Sequence, residues 1–146
     1  MSEGSGGYEK ILIADDGSPH ARQALTAAID LAGTCGAELH QISVEEDLPH
    51  YAATIGEIDA VKEQRNHFFE VLDRESVAQA QARGVKLHCH VVAGHEVEKI
   101  IEFRKDAKFD LLVIGFMGHS RIFDRIWGST SQTLTRLAPC SALLVK

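Results

Sequence analysis

Leu111-Leu-Val-Ile-Gly-Phe-Met-Gly118 is an apolar run that leads into a glycine-rich loop, and nine residues later Gly128-Ser129-Thr130 opens a helical pattern that reaches Leu137. In a strand, glycine loop and helix N-terminus arranged in this order, backbone N–H groups and the helix dipole can hold phosphate. The Walker A pattern is absent, and no GxGxxG pattern follows a strand. The stretch is typical of a nucleotide-binding α/β protein, but glycines that merely permit turns, with Ser129 as an ordinary N-cap, would explain it equally well.

Strand-like and helix-like patterns alternate along the chain. Short apolar runs predict five strands, at Lys10–Asp15, Glu38–Val44, Val85–Val92, Asp110–Ile114 and Ser141–Val145. Apolar residues at helical spacing predict four helices, which run from Pro19 to Gly33 or Gly36, Glu57–Arg83, Glu96–Lys105 and Ser129–Leu137. This alternation predicts a single doubly wound α/β domain, with a five-stranded parallel sheet and helices on both faces.

Composition and charge narrow the class of protein. The chain has 146 residues, 45% apolar and 25% charged, with a net charge of −6. These values are typical of one soluble domain, and the negative charge disfavours binding to nucleic acid. No apolar run reaches the roughly 20 residues of a membrane span, and residues 1–7 lack a signal-peptide core and are expected to form a flexible tail. The cysteines at positions 35, 89 and 140 show no CxxC spacing, which favours a cytoplasmic protein with reduced thiols.

Three segments in a fixed order carry a family resemblance. They are Ile11-Leu-Ile-Ala-Asp-Asp16-Gly-Ser18, the spacing Gly115-x2-Gly118-x9-Gly128-Ser129, and Ala138-Pro-Cys-Ser-Ala-Leu-Leu-Val145. With them, residues 9–146 resemble the universal stress protein family, and the glycine spacing resembles its ATP-binding branch. The resemblance implies a domain over residues 8–146 with strand order 3-2-1-4-5, the adenine nucleotide alpha hydrolase-like fold.

The same resemblance implies an ATP site, with Mg²⁺ accompanying the nucleotide. Asp16 would lie near the ribose and phosphates, and the Val44 backbone would contact adenine. The glycines, Ser129 and Thr130 would enclose the ribose and triphosphate. The implied set of binding residues is Ala14, Asp15, Asp16, Val44, Ile114, Gly115, Met117, Gly118, His119, Gly128, Ser129 and Thr130.

Two positions in this set depart from the family pattern. Asp15 adds a second carboxylate where the family has an apolar or neutral residue, and two carboxylates repel a triphosphate unless a metal intervenes. Phe116-Met117 replaces small or polar residues, and Met117 could line the pocket or pack beneath the loop. His119 could neutralise phosphate charge, or could belong to a solvated basic loop.

The implied function is a nucleotide-dependent stress-response or signalling module with an unknown partner protein. It would form a homodimer through residues 141–146, which would also cover an exposed sheet edge. One alternative is a slow ATPase or phosphoryl-transfer enzyme that uses Asp16. The other is a nucleotide-free adaptor in which side chains such as Met117 occupy the loop.

His88-Cys89-His90 raises a separate question about metal binding. On a strand, His88 and His90 share one face while Cys89 points to the other. Two imidazoles on one face could bind a metal, but the sequence indicates no third ligand. The polar half of an outer strand is therefore the favoured interpretation.

Overall fold

Helices and strands alternate as the sequence predicts. A computed structural model of the chain describes residues 7–46, 55–116 and 129–146. Its elements are β1 (Lys10–Ala14), α1 (Pro19–Cys35), β2 (Glu38–Glu45), α2 (Ile55–Gln81), β3 (Leu87–Ala93), α3 (Glu96–Ala107), β4 (Leu111–Gly115), α4 (Ser129–Leu137) and β5 (Ser141–Val145). No helix among the described residues is long and apolar enough to cross a membrane.

The five strands form one sheet in the order β3-β2-β1-β4-β5, with every pair parallel. This confirms the predicted fold. β1 is central, since Ile11 pairs with Leu39 of β2 on one side and with Leu111 of β4 on the other. The strand order therefore reverses between β1 and β4.

Hydrophobic clusters cover both faces of the sheet. Ile11 and Ile13 of β1 pack with α1 and the end of α2, and Leu12 packs with α3 and α4. These three side chains are 0% exposed, as expected of a strand buried on both faces. The helices thus lie on both faces of the sheet, as predicted.

Local chemistry accounts for the element boundaries. Ser18 caps α1 by accepting a hydrogen bond from the Ala21 N–H, Pro19 follows it, and the left-handed Gly36 ends the helix, as predicted. β3 begins two residues later than predicted, because the Val85 N–H donates to the Ala80 carbonyl at the end of α2 (2.9 Å). In α2, the buried residues Leu72, Ser76 and Ala80 form one stripe.

Candidate functional site

The end of β1 forms a tight acidic turn. Asp15 Oδ1 accepts a hydrogen bond from the Gly17 N–H (2.8 Å), and Asp16 Oδ1 accepts one from the Ser18 N–H (2.9 Å). Gly17 has φ +83°, a conformation that side-chain-bearing residues rarely adopt. The turn therefore brings Asp16 to the carboxyl edge of the sheet and leads directly into α1.

Asp15 belongs to an internal network that sequence reasoning missed. Its carboxylate is 0% exposed and lies 2.7 Å from Arg22 Nη1, which also donates to Ser76 Oγ of α2 (2.7 Å). Burial raises the pKa of Asp15, while the Gly17 hydrogen bond and Arg22 oppose that rise. The second carboxylate, expected to repel a triphosphate, is thus paired inside the protein.

β4 ends against the starts of two helices. Ser131 Oγ, in the first turn of α4, donates to the Gly115 carbonyl (2.5 Å). A Cβ at Gly115 would lie 2.7 Å from the His20 carbonyl carbon and 2.8 Å from the Ala21 nitrogen. Gly115 therefore has a packing role, since only glycine lets β4 and α1 approach this closely.

A cleft of about 470 Å³ opens beside the ends of β1 and β2, within the size range of small-molecule sites. Its sheet side includes Asp16 and Val44, and its other wall is α2. Val61 and Phe68 on that wall are 38% and 43% exposed. The full lining is Asp16, Val44, Glu45, Glu46, Val61, Gln64, Arg65, Phe68 and Phe69.

Glu96, the first residue of α3, adds a carboxyl group near this edge. Burial raises its pKa to about 7, and the charges of Asp16 and Glu46 contribute to the rise. The carboxyl group therefore changes its protonation state near neutral pH.

Stability should fall as Glu96 ionises. Its pKa is higher in the folded protein (about 7) than in the unfolded chain (about 4.5), so the folded state favours the neutral form and loses stability as pH rises between these values. We expect Glu96→Gln to exceed the wild type in unfolding free energy by about 1–3 kcal/mol at pH 8, with the difference shrinking towards pH 5. Urea unfolding at both pH values measures this. Glu98→Gln, which changes an exposed carboxylate on the same helix, is the control, and an equal gain for both variants would contradict the assignment.

The structure brings several predicted site residues to one edge. Asp16 and Val44 line the cleft, and Thr130 lies half-buried at the start of α4. Ile114 is 2% exposed and packs, like Ala14, in the cluster on the α3 and α4 face. Ser129 begins α4. Four predicted residues lie outside the described ranges: Met117, Gly118, His119 and Gly128.

Sequence reasoning did not assign Phe68, Glu96 or Ser131 to the site. Phe68 follows Val61 at helical spacing, and this pattern alone does not separate a core stripe from a cleft wall. Ser131 could have been assigned from the sequence, because a serine in the first turn of a helix can form a hydrogen bond with neighbouring backbone.

The family profile with the description "Universal stress protein family" matches residues 7–146. This chain belongs to the universal stress protein family. A universal stress protein of Methanocaldococcus jannaschii is 29% identical over 140 residues, which cover 95% of this chain and 82% of that protein.

Solved structures of universal stress proteins share the fold. UspA from Lactobacillus plantarum has a TM-score of 0.87 at 21% identity, covering 97% of this chain and 99% of that one. A universal stress protein in complex with cAMP has a TM-score of 0.74 at 24% identity, with coverage of 97% and 99%. One from Archaeoglobus fulgidus in complex with dAMP has a TM-score of 0.62 at 19% identity, with coverage of 95% and 98%.

Proposed function

We propose that this universal stress protein binds an adenine nucleotide, specifically ATP, and that occupancy alters a surface read by a signalling partner. The observation that carries the proposal is the cleft beside β1 and β2, which has both Asp16 and Val44 in its lining. Ligands of open parallel sheets bind at the carboxyl edge where the strand order reverses. β1 lies at that reversal.

The apolar part of the cleft suits a purine base. Phe68 and Val61 offer partly exposed apolar surface on α2, opposite Val44 at the end of β2. An aromatic ring can stack on a base, which contributes about 1–3 kcal/mol per base in nucleic-acid complexes. The base would therefore lie between the end of β2 and α2.

The phosphates would extend towards β4 and α4. The bond from Ser131 to the Gly115 carbonyl holds the first turn of α4 beside the end of β4. N–H groups at a helix start have no partner within the helix and favour negative charge. The ATP assignment also rests on the intact glycine spacing that ends at Gly128.

Mg²⁺ would accompany the triphosphate. Asp16 supplies carboxylate oxygen at the cleft, the ligand type that Mg²⁺ prefers. The charges of Asp16 and Glu46 both act on Glu96, so negative charge is concentrated at this edge. A cation there would relieve repulsion between these carboxylates and the phosphates.

Two structural neighbours support a nucleotide ligand. One was solved with cAMP and one with dAMP, and both ligands contain adenine. We further propose a homodimer through residues 141–146, because β5 lies at one edge of the sheet. A cytoplasmic location is part of the same proposal, since Cys35, Cys89 and Cys140 are all unpaired.

Calorimetric titration of nucleotide-stripped protein with Mg·ATP should show binding at or below millimolar ATP. Phe68→Ala should weaken the affinity about tenfold, because a stacking surface is lost. Gly128→Ala should weaken it further, since the phosphate loop requires close backbone approach. Val91→Ala is the matched control, because Val91 is equally exposed (43%) but lies on β3, outside the cleft lining.

Parallel titrations with AMP and cAMP distinguish a site for ATP from a site for adenine nucleotides in general. Heat with cAMP or AMP but none with Mg·ATP would contradict the triphosphate assignment while supporting an adenine site. No heat with any of the three nucleotides, together with no thermal shift, would favour the adaptor alternative.

A further inference from the structure

A second cluster of polar side chains lies where β2 and β3 begin, away from the nucleotide edge. His40 pairs in register with His88, and Glu38 precedes His40 by two residues on the same face. One ligand atom from each of Glu38, His40 and His88 lies within 4.8 Å of the others. β2 therefore supplies two further ligand residues, Glu38 and His40, which the His88-Cys89-His90 sequence alone did not indicate.

The cluster has one sheltered side and one open side. His40 packs edge-to-face on Phe109, with ring centroids 5.1 Å apart, and Phe109 is 0% exposed. The side chain of His40 is only 13% exposed, whereas that of Glu38 is 51% exposed. An ion held here would have protein on one side and a coordination position towards water on the other.

His90 is placed to form a hydrogen bond with His40 without itself being a metal ligand. Its Nε2 lies 2.9 Å from His40 Nδ1, while His40 Nε2 lies 2.5 Å from Glu38 Oε2. When the Nε2 atom of a histidine binds a metal, its Nδ1–H donates to a neighbouring acceptor that orients the ring. With His40 as ligand, His90 would be that acceptor, and rotation of Glu38 would open space for the ion.

The types of ligand atom in the cluster indicate which class of metal ion it would bind. Two imidazole nitrogens and one carboxylate oxygen match the set of His₂Glu zinc sites, which keep a fourth position for water. Ca²⁺ and Mg²⁺ favour oxygen ligands instead. Zn–N distances are about 2.0–2.1 Å, so the ligand atoms, which lie within 4.8 Å of one another, would move closer together around an ion. The rings of His40 and His88, which stack with centroids 4.6 Å apart, would turn towards it.

We propose that Glu38, His40 and His88 form a binding site for a divalent transition metal ion of the zinc class, with His90 as the positioning residue for His40. The site is separate from the nucleotide cleft, because its ligands come from the amino-terminal part of β2 and the facing part of β3. Cleft residues Val44 and Glu45 lie at the opposite end of β2.

Calorimetric titration of tag-free, metal-stripped protein with Zn²⁺, without nucleotide, tests the site. We expect one Zn²⁺ per chain, bound at micromolar concentration or tighter. Glu38→Gln and His88→Gln should each weaken binding at least about tenfold, the scale seen when even outer-shell partners are lost. Co²⁺ should give the visible absorption of a four-coordinate ion in the wild type and lose it in both variants.

His67→Gln is the matched control, because His67 is an exposed histidine on α2, outside the cluster. It should bind Zn²⁺ like the wild type. Glu38→Gln changes a largely exposed side chain, so it keeps the test decisive if His88→Gln folds poorly. Absence of stoichiometric Zn²⁺ binding, or affinity unchanged in Glu38→Gln, would overturn the proposal whether or not ATP binds.

Discussion

Arg22→Met is expected to lower the free energy of unfolding by about 3 kcal/mol at pH 7. Removing one partner of a buried ion pair leaves an uncompensated charge, which costs about 3–5 kcal/mol, and the 25% exposure of Arg22 places this case at the lower end. Methionine keeps much of the apolar stem, so the loss reports on the charge of Arg22 and on its hydrogen bond to Ser76 Oγ. Urea unfolding monitored by circular dichroism measures it.

Two further variants isolate the role of Asp15. Adding Asp15→Asn to Arg22→Met should recover most of the loss, because the buried charge disappears while an oxygen remains to accept from the Gly17 N–H. Arg83→Met is the matched control, since Arg83 pairs with Asp30 on the surface and both side chains are more than half exposed. Such pairs contribute about 0–1 kcal/mol. Equal losses for Arg22→Met and Arg83→Met would contradict the assignment.

Gly115→Ala is expected to destabilise the nucleotide-stripped protein by about 1–3 kcal/mol, the usual cost of overpacking. The added Cβ would lie within 2.9 Å of three backbone atoms of His20 and Ala21, and backbone in the first turn of α1 cannot rotate away as a side chain can. The variant should therefore displace β4 from α1 and lower the melting temperature even without a ligand. Differential scanning calorimetry measures this effect.

Gly33→Ala provides the control on an exposed glycine. A Cβ at this position would make only an ordinary contact with Val85 Cγ2 (3.6 Å). Because Gly33 lies inside α1, alanine should raise stability by up to about 1 kcal/mol through its higher helix propensity. If Gly115→Ala melted at the wild-type temperature, β4 and α1 could not be packed as closely as described.

The helices, the strands and their alternation were predictable because their signals are local, whereas the strand order 3-2-1-4-5 was predicted through the family resemblance. Ser18-Pro19 determines where α1 begins, and the apolar runs determine the strands. The boundaries that were missed depend on contacts or conformations without a local signal. Lys108 ends α3 in the left-handed conformation (φ +60°), and a lysine gives no sequence signal for such a cap.

Residues of the candidate sites were predictable from the sequence only where the family resemblance includes them. Asp16 and Val44 were assigned through a family pattern, and both line the cleft. The pairing of Asp15 with Arg22 requires knowing that the aspartate turns inward. The meeting of His40 with His88 depends on strand register between segments 48 residues apart, which neither segment encodes alone.

The stripe of buried residues on α2 lies in the second half of the helix, so the two halves differ in how easily they unfold locally. Leu72, Ser76 and Ala80 anchor its second half, but none of the residues with described burial between Gly56 and Val71 is buried. A helical segment with so few buried contacts opens at low free-energy cost. The first half of α2, which forms one wall of the cleft, is therefore the part of that helix that buried contacts hold least firmly. A molecule that bridged Val44 and Phe68 would stabilise this half of α2, and its presence would register as slower amide hydrogen exchange along those turns.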